Sequence, residues 1–100
     1  MAKTPRVEWR KTDPKTHSFR GRRFKINVRR IKGKDGEASK PGWPYKWREI
    51  ALHKSMRESD LLETLVHEAL HVCLPDLNEE TVTESARDIA RFLGRFGFKR

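Results

Sequence analysis

Alternation of apolar and polar positions predicts two β-strands in the first half of the chain. Residues 22–31 place Phe24, Ile26 and Val28 at every second position, with basic or amide side chains between them. Residues 47–53 alternate in the same way. A period of two, with β-branched and aromatic residues at the apolar positions, is typical of strands that bury one face. We therefore expect each segment to form a strand.

Two helices are expected in the second half, where the apolar period changes. The first covers residues 59–73, and the second begins within residues 76–79 and continues to about residue 96. Asp60 and Glu63 have the spacing of a capping box. The candidate N-terminal caps are Ser59 or Asp60 for the first helix and Asp76 or Asn78 for the second.

These elements predict an α+β fold, with a small, mostly antiparallel sheet followed by an α-hairpin. Residues 32–46 contain three Gly and two Pro and are expected to form a loop, with a tight turn at Asp35 and Gly36. A loop of this length in a small domain suggests a functional role. A short strand or extended arm is expected near residues 7–10. We interpret residues 1–100 as a single domain, made of a polar basic arm (1–21), strands with the long loop (22–58) and a metal-binding helical hairpin (59–98).

Charge is distributed unevenly along the chain, which carries a net charge of +9. Residues 1–48 contain 16 Lys and Arg against 4 Asp and Glu, whereas residues 49–100 contain 7 against 10. The basic excess of the front half is a feature of nucleic-acid-binding proteins, and the acidic half needs a different explanation.

Composition also bounds the location of the protein. No apolar run approaches the roughly 20 residues that span a bilayer, so no membrane partner is expected. The basic start lacks the apolar stretch of a secretory signal. Cys73 is the only cysteine, which allows no intrachain disulfide, and we interpret it as a small core residue. A cytoplasmic protein is therefore expected.

A metal-binding motif lies in the first predicted helix, which contains HEALH at residues 67–71. Histidines at positions i and i+4 lie on one helix face, one turn apart, so the imidazoles of His67 and His71 can bind a single zinc ion. Glu68 lies beside that face and can accept a proton from a water on the metal. The apolar residues of this helix fall on a separate face, which favours a metal site over a chance pair of histidines.

A third protein ligand is needed, because zinc hydrolases use three and leave the fourth position for water. The expected hairpin sets residues 79–83 level with the two histidines, and a helical wheel places Glu79 in the inward sector of the second helix. Glu80 and Glu84 point away on the same wheel and remain alternatives. The acidic residues considered for this position are Asp76, Glu79, Glu80, Glu84 and Asp88.

Residues 61–77 (LLETLVHEALHVCLPDL), followed by the acidic start of the next helix, resemble the small zincin-type metallopeptidases of phages and prophages. These are similar to minimal gluzincins and, distantly, to SprT-like and ImmA-like domains. The resemblance covers roughly residues 45–98 and is much weaker before them. It implies a zinc-dependent peptidase with His67 and His71 as ligands, Glu68 as general base and an acidic ligand from the second helix. If the protein is phage-encoded, it implies action in the cytoplasm of the bacterial host.

The function predicted from the motif is a zinc-dependent hydrolase acting on a peptide or protein substrate. Residues 47–53 are expected to offer a strand edge to an extended peptide by β-augmentation. Tyr45 and His53 are the candidates nearest in sequence for stabilising an oxyanion. The alternative is a non-enzymatic basic module that binds nucleic acid or a partner protein through the front half, with a structural or silent metal site.

Overall fold

The computed structural model describes residues 4–98, which form a four-stranded sheet followed by two helices. A single turn of 3₁₀ helix, Tyr45–Trp47, precedes the last strand. The α+β fold with a helical hairpin, predicted from the sequence pattern, is confirmed. The strands are β1 (Thr16–Phe19), β2 (Arg22–Arg29), β3 (Gly36–Ala38) and β4 (Glu49–His53), and the helices are α1 (Glu58–Cys73) and α2 (Glu79–Arg95).

The sheet has the strand order β1-β2-β4-β3 and is mixed. The outer pairs, β1 with β2 and β3 with β4, are antiparallel, as expected for most of the sheet. The central pair is parallel, with Lys25 of β2 opposite Glu49 of β4. Parallel neighbours cannot be joined by a tight turn. The connection from β2 to β4 is therefore long, and it contains both β3 and the 3₁₀ turn.

The segment predicted to be a loop, residues 32–46, is where the structure differs most from the sequence pattern. It contains β3, and the turn before β3 is formed at Gly33, whose φ is +77°. The tight turn predicted at Asp35 and Gly36 is therefore wrong, because Gly36 is the first residue of β3. β4 begins at Glu49 rather than at residue 47, because the 3₁₀ turn occupies the preceding residues.

The start of the chain also differs from the prediction. No strand forms at residues 7–10, although Arg6 makes an isolated antiparallel bridge with Arg57 and Val7 is buried in the core. β1 lies within residues 1–21, which were expected to form an arm, and β2 ends at Arg29 rather than at residue 31.

The helix caps agree with prediction for α2 only. α1 begins at Glu58, with Arg57 as a cap residue that makes no side-chain hydrogen bond, so capping by Ser59 or Asp60 is wrong. At the start of α2, the side chain of Asn78 accepts a hydrogen bond from the backbone N–H of Thr81 at 2.8 Å.

The hydrophobic core lies between α1 and one face of the sheet. Burial falls along β2, from a fully buried Phe24 to Val28, which is 39% exposed. α2 packs against α1, and its Val82 and Ala86 are fully buried. Neither helix within residues 4–98 is long and apolar enough to cross a membrane. The core cluster consists of Val7, Phe24, Ile50, Leu52, Met56, Leu61 and Val72.

The opposite face of the sheet carries charged side chains that connect three strands. The Arg29 guanidinium of β2 pairs with Glu49 of β4 at 3.0 Å and also with Glu37 of β3. The Asn27 side-chain amide donates a further hydrogen bond to Glu49 at 2.6 Å. These contacts hold the short strand β3 in register with the two central strands.

Candidate metal centre

The two histidines of the motif lie together on α1, one turn apart. Their rings meet edge to face with centroids 4.8 Å apart, and the Nε2 atoms of His67 and His71 are 3.1 Å from each other. Both side chains are partly exposed, at 21% and 30% of their surface. The helical spacing therefore directs two imidazole nitrogens to one point that is open to solvent.

Glu79 completes this group from the first turn of α2. Its Oε1 lies 2.9 Å from Nε2 of His67, and its Oε2 lies 2.8 Å from Nε2 of His71. The turn between the helices and the Asn78 cap set the start of α2 beside the middle of α1. Within residues 4–98, the structure brings Glu79 to the histidines, and it does not bring Glu80 or Glu84 there.

The chemistry of these three residues fits a divalent cation. Their potential ligand atoms lie within 4.8 Å of one another. Ligands about 2.1 Å from one tetrahedral zinc ion are about 3.4 Å apart, close to the separations of 2.8–3.1 Å between the donor atoms here. Two imidazole nitrogens and a carboxylate are directed to the same point. A cation at that point satisfies all three.

Glu68 lies next to this group but is buried, with 5% of its surface exposed. Burial raises the pKa of its carboxyl group to about 7, with His67 opposing the shift and the negative charge of Glu79 adding to it. A carboxyl group that titrates near neutrality can both accept and donate a proton under physiological conditions. The structure therefore places a group with acid–base capacity beside the three candidate ligands.

The burial of Glu68 depends on the close approach of β3 to α1 at Gly36. A Cβ atom built on Gly36 would lie 2.9 Å from Cγ2 of Thr64 and 3.0 Å from Oε2 of Glu68. Both distances are shorter than those that a Cβ atom normally keeps from carbon and oxygen atoms in folded proteins. A glycine at this position lets the strand cover the carboxyl group.

A groove of about 440 Å³ runs between α1, the start of α2 and the segment that contains β3. The motif residues form one wall of this groove, and Lys34, Ser39 and Lys40 contribute polar groups to the other. Sequence reasoning missed these three residues, because nothing in their immediate sequence marks them. The one signal that pointed to them was the unusual length of the segment between the two predicted strands.

β3, and not β4, is an edge strand on this side of the sheet, as β1 is on the other. β4 is paired on both sides, so the expectation that residues 47–53 offer an edge to a peptide is wrong. Ser39 donates its backbone N–H to the carbonyl of Glu49. Because such bonds alternate along an antiparallel pair, the backbone N–H and C=O groups of Gly36 and Ala38 point to the open side. That side faces the groove.

The two residues suggested for oxyanion stabilisation do not line the groove. His53 lies at the far end of β4, where its Nδ1 accepts a hydrogen bond from the backbone N–H of Ser55. Tyr45 belongs to the 3₁₀ turn, where Lys25 lies 5.5 Å from the centre of its ring. Neither residue is among those that line the groove beside the candidate ligands.

Comparison with protein-family models, with curated proteins and with solved structures gives no match for this chain. Function is therefore inferred from the geometry of the site and from the motif.

Proposed function

We propose that this protein is a zinc-dependent hydrolase, and specifically a minimal metallopeptidase. One observation carries the proposal: two histidines and Glu79 converge on one point, beside a buried Glu68 and at the wall of an open groove. Two histidines and a glutamate form one of the ligand sets with which catalytic zinc sites are built. The resemblance of the motif to small zincin-type peptidases supports the same function.

In this proposal, His67, His71 and Glu79 hold the ion, and Glu68 moves the proton. A zinc ion bound there supplies an activated water and polarises the carbonyl group under attack. The Glu68 carboxylate accepts the proton of the attacking water and passes it to the nitrogen of the leaving amine. Its burial beneath β3 keeps bulk water away from the transferred proton.

The open edge of β3 supports an extended peptide as the substrate. The outward-pointing backbone groups of Gly36 and Ala38 can pair with a peptide strand, which is the mode of binding known as β-augmentation. A peptide held there runs along the groove past Glu68 and the candidate ligands. This edge takes the role that the sequence pattern assigned to β4.

The metal centre is tested by measuring the zinc content and zinc affinity of the purified chain. We expect one zinc ion per chain, and loss of that ion in His67→Ala. Glu79→Ala should weaken binding at least about 100-fold, because even partners that only orient a ligand are worth 10–100-fold. Glu80→Ala is the matched control, since it removes the adjacent exposed carboxylate. Equal affinities for Glu79→Ala and Glu80→Ala would show that Glu79 is not a ligand.

The hydrolase function is tested by peptide cleavage with the zinc-loaded chain. The wild type should cleave peptides of a fluorogenic library. Glu68→Gln should not cleave them, because glutamine keeps the shape of the side chain but cannot accept the proton. We expect this variant to retain its zinc. A zinc-loaded wild-type chain that cleaves no peptide, or a Glu68→Gln variant as active as the wild type, would contradict the proposed chemistry.

A second candidate function, binding of single-stranded nucleic acid, is favoured by an aromatic patch around the 3₁₀ turn. Trp43, Tyr45 and Trp47 are 46%, 44% and 59% exposed, within five consecutive positions. The ammonium group of Lys46 lies 5.2 Å from the centre of the Trp47 ring. Exposed aromatic rings beside cations form surfaces on which bases stack while phosphates are neutralised.

This candidate is tested by titrating the chain with a single-stranded oligonucleotide and following tryptophan fluorescence at several salt concentrations. Binding should weaken with salt, and both Lys46→Ala and Trp47→Ala should reduce it. Lys54→Ala is a control, because it removes an exposed cation at the opposite end of β4. If the oligonucleotide leaves the fluorescence unchanged at low salt, the patch does not bind nucleic acid.

A further inference from the structure

An apolar seam runs along the outer surface of α2, far from the groove. Its four positions follow one another at intervals of four, three and four residues, which is the spacing of a helix that packs against another helix. The seam consists of Ser85, Ile89, Phe92 and Phe96. The last three side chains are 38%, 61% and 69% exposed. The rings of Phe92 and Phe96 are in contact, with centroids 5.2 Å apart.

Packing among the described residues, 4–98, leaves this seam uncovered. At about 100° per residue, the four seam positions fall within a sector of about 60°. Val82 and Ala86, which are buried at the contact with α1, lie beyond one border of that sector. Large apolar side chains grouped on a surface in this way mark interaction sites.

Charged side chains border the seam on its other side, and they change sign along the helix. Asp88 and Arg95 lie nearest to the seam on this side, about 70° and 90° around the helix from its middle. Both are exposed, and neither makes an ion pair within residues 4–98. A border that changes from acidic to basic along the helix is complementary to a second copy of itself that runs in the opposite direction.

We propose that α2 is a dimer interface, in which the seam packs antiparallel against the same seam of a second copy of this chain. A two-fold axis near Ala90 sets Ile89 against the partner's Phe92, and Ser85 against the partner's Phe96. The same register sets Asp88 beside the partner's Arg95. Each contact occurs twice, as a two-fold interface requires.

Charge distinguishes this arrangement from the parallel one. In a parallel two-fold pair of α2 helices, the charged borders of the two copies would lie on opposite sides of the seam, so Asp88 and Arg95 would have no partners of opposite sign. In the antiparallel pair, the two borders lie on the same side, and Asp88 and Arg95 of each copy both have such a partner. Charges that border an apolar seam in this way determine the orientation of paired helices.

The interface is independent of the proposed hydrolase function. Glu79 lies on the side of α2 that faces α1, roughly 110° around the helix from the middle of the seam. Pairing through the seam therefore leaves the groove and the three candidate ligands open in each copy. A chain that dimerises but binds no zinc would support this inference and contradict the proposed function.

The first test is the molar mass of the full chain, measured by sedimentation over a wide concentration range. We expect a monomer–dimer equilibrium for the wild type and a monomer for Phe92→Glu. Trp47→Glu is the matched control, since it places the same charge at an exposed aromatic residue outside α2, and it should dimerise like the wild type. A wild type that stays monomeric at the highest concentration overturns the proposal and assigns the seam to another partner.

The second test uses charge reversal to check the register. Asp88→Arg and Arg95→Asp each place two like-charged pairs across the two-fold axis, so each variant should dimerise roughly tenfold or more weakly than the wild type. A mixture of the two variants restores opposite charges at both pairs and should form a heterodimer of near wild-type affinity. A mixture that remains as weakly associated as the separate variants would overturn the antiparallel register.

Discussion

At the scale of single residues, Gly36 determines how closely the sheet approaches the motif helix. Its position leaves no space for a Cβ atom, since Cγ2 of Thr64 would lie only 2.9 Å away. The Thr64 methyl group is held by a β-branched side chain and cannot easily move aside. The burial of Glu68, and with it the acid–base character of the site, therefore depends on the absence of a side chain at one position of β3.

We expect Gly36→Ala to destabilise the protein by about 1–3 kcal/mol, because overpacking of this size forces the backbone or neighbouring side chains to shift. The free energy of unfolding measured with urea checks this expectation. Gly42→Ala is the matched control, since a Cβ atom there meets nothing within 4 Å. Adding Thr64→Ser to Gly36→Ala removes the clashing methyl group and should restore part of the loss. A Gly36→Ala variant as stable as the wild type would mean that β3 lies farther from α1.

The same residues show which parts of the candidate site could be predicted from the sequence. His67, Glu68 and His71 are within one helical turn, so their spacing alone determines their relative positions. Glu79 was the preferred third ligand because a hairpin returns the chain beside α1. Lys34, Ser39 and Lys40 reach the groove only through the path of β3. That path depends on pairing with β4, which no local pattern encodes.

At the scale of elements, the start of α2 matters most, because Glu79 is its first residue. The Asn78 cap satisfies a backbone N–H that would otherwise lack a partner, and it fixes the point at which the helix begins. A change in the cap therefore affects both the stability of the helix and the position of a candidate ligand.

Asn78→Ala should lower the free energy of unfolding by about 1 kcal/mol, the usual cost of removing an N-terminal cap. Urea unfolding measures this change, and a zinc titration of the same variant should show weaker binding. Asp76→Ala is the control, because Asp76 is exposed and does not cap the helix. Equal losses of stability in the two variants would contradict a specific role for the cap.

Acid should weaken the connection between the three strands that Arg29 joins. The hydrogen bond from Arg29 holds the pKa of Glu37 below its ordinary value of 4.5. Burial raises the pKa of Glu49, but hydrogen bonds from Arg29 and Asn27 outweigh burial and leave that pKa lowered as well. Both carboxylates thus bind protons less readily in the folded chain than in the unfolded one. Their contribution to stability is fully present above about pH 4.5 and is lost as the pH falls through the lowered pKa values.

Arg29→Met should therefore destabilise the protein at neutral pH and less at about pH 3. Because the side chains are partly exposed, we expect no more than about 1 kcal/mol per pair. Urea unfolding of both chains at the two pH values measures the difference. Arg30→Met is the control, as Arg30 makes no ion pair within the described residues. A loss of stability that is the same at both pH values would show that the ion pairs are not its cause.

The elements themselves were predictable to different degrees. β2, β4 and both helices have enough residues for a period to be recognised in the sequence. β3 has three residues, one of them glycine, and the four residues of β1 lie among polar ones. Neither strand contains a pattern that distinguishes it from a loop. The parallel pairing of β2 with β4 follows from the complete path of the chain and not from either strand alone.

At the scale of the whole molecule, the candidate metal centre joins the two helices. His67 and His71 belong to α1 and Glu79 belongs to α2. An ion held by all three is bound in the folded state only, so it shifts the unfolding equilibrium toward the native protein. Chain stability should therefore depend on free zinc.

Removal of zinc with a chelator should lower the melting temperature. Free zinc at about 100 times its dissociation constant contributes about 2.7 kcal/mol. For a domain of this size, this corresponds to a shift of roughly 10 °C or more. Thermal unfolding followed by circular dichroism measures the shift, and His71→Ala should melt at the same temperature with or without zinc. A wild-type melting temperature that zinc does not change would contradict a shared ion.

The short turn between α1 and α2 has a consequence for the order in which the molecule assembles. Only the short connection between the helices separates His71 from the start of α2 at Glu79. β2 and β4, in contrast, become neighbours only after the long segment that contains β3 has returned the chain to β2. Closing a short loop costs less entropy and is faster than pairing distant strands. Helix docking, and capture of an ion by the nascent hairpin, can therefore precede completion of the sheet. The cover over Glu68 belongs to the sheet, so we expect the hairpin to be able to bind an ion while that carboxyl group is still open to water.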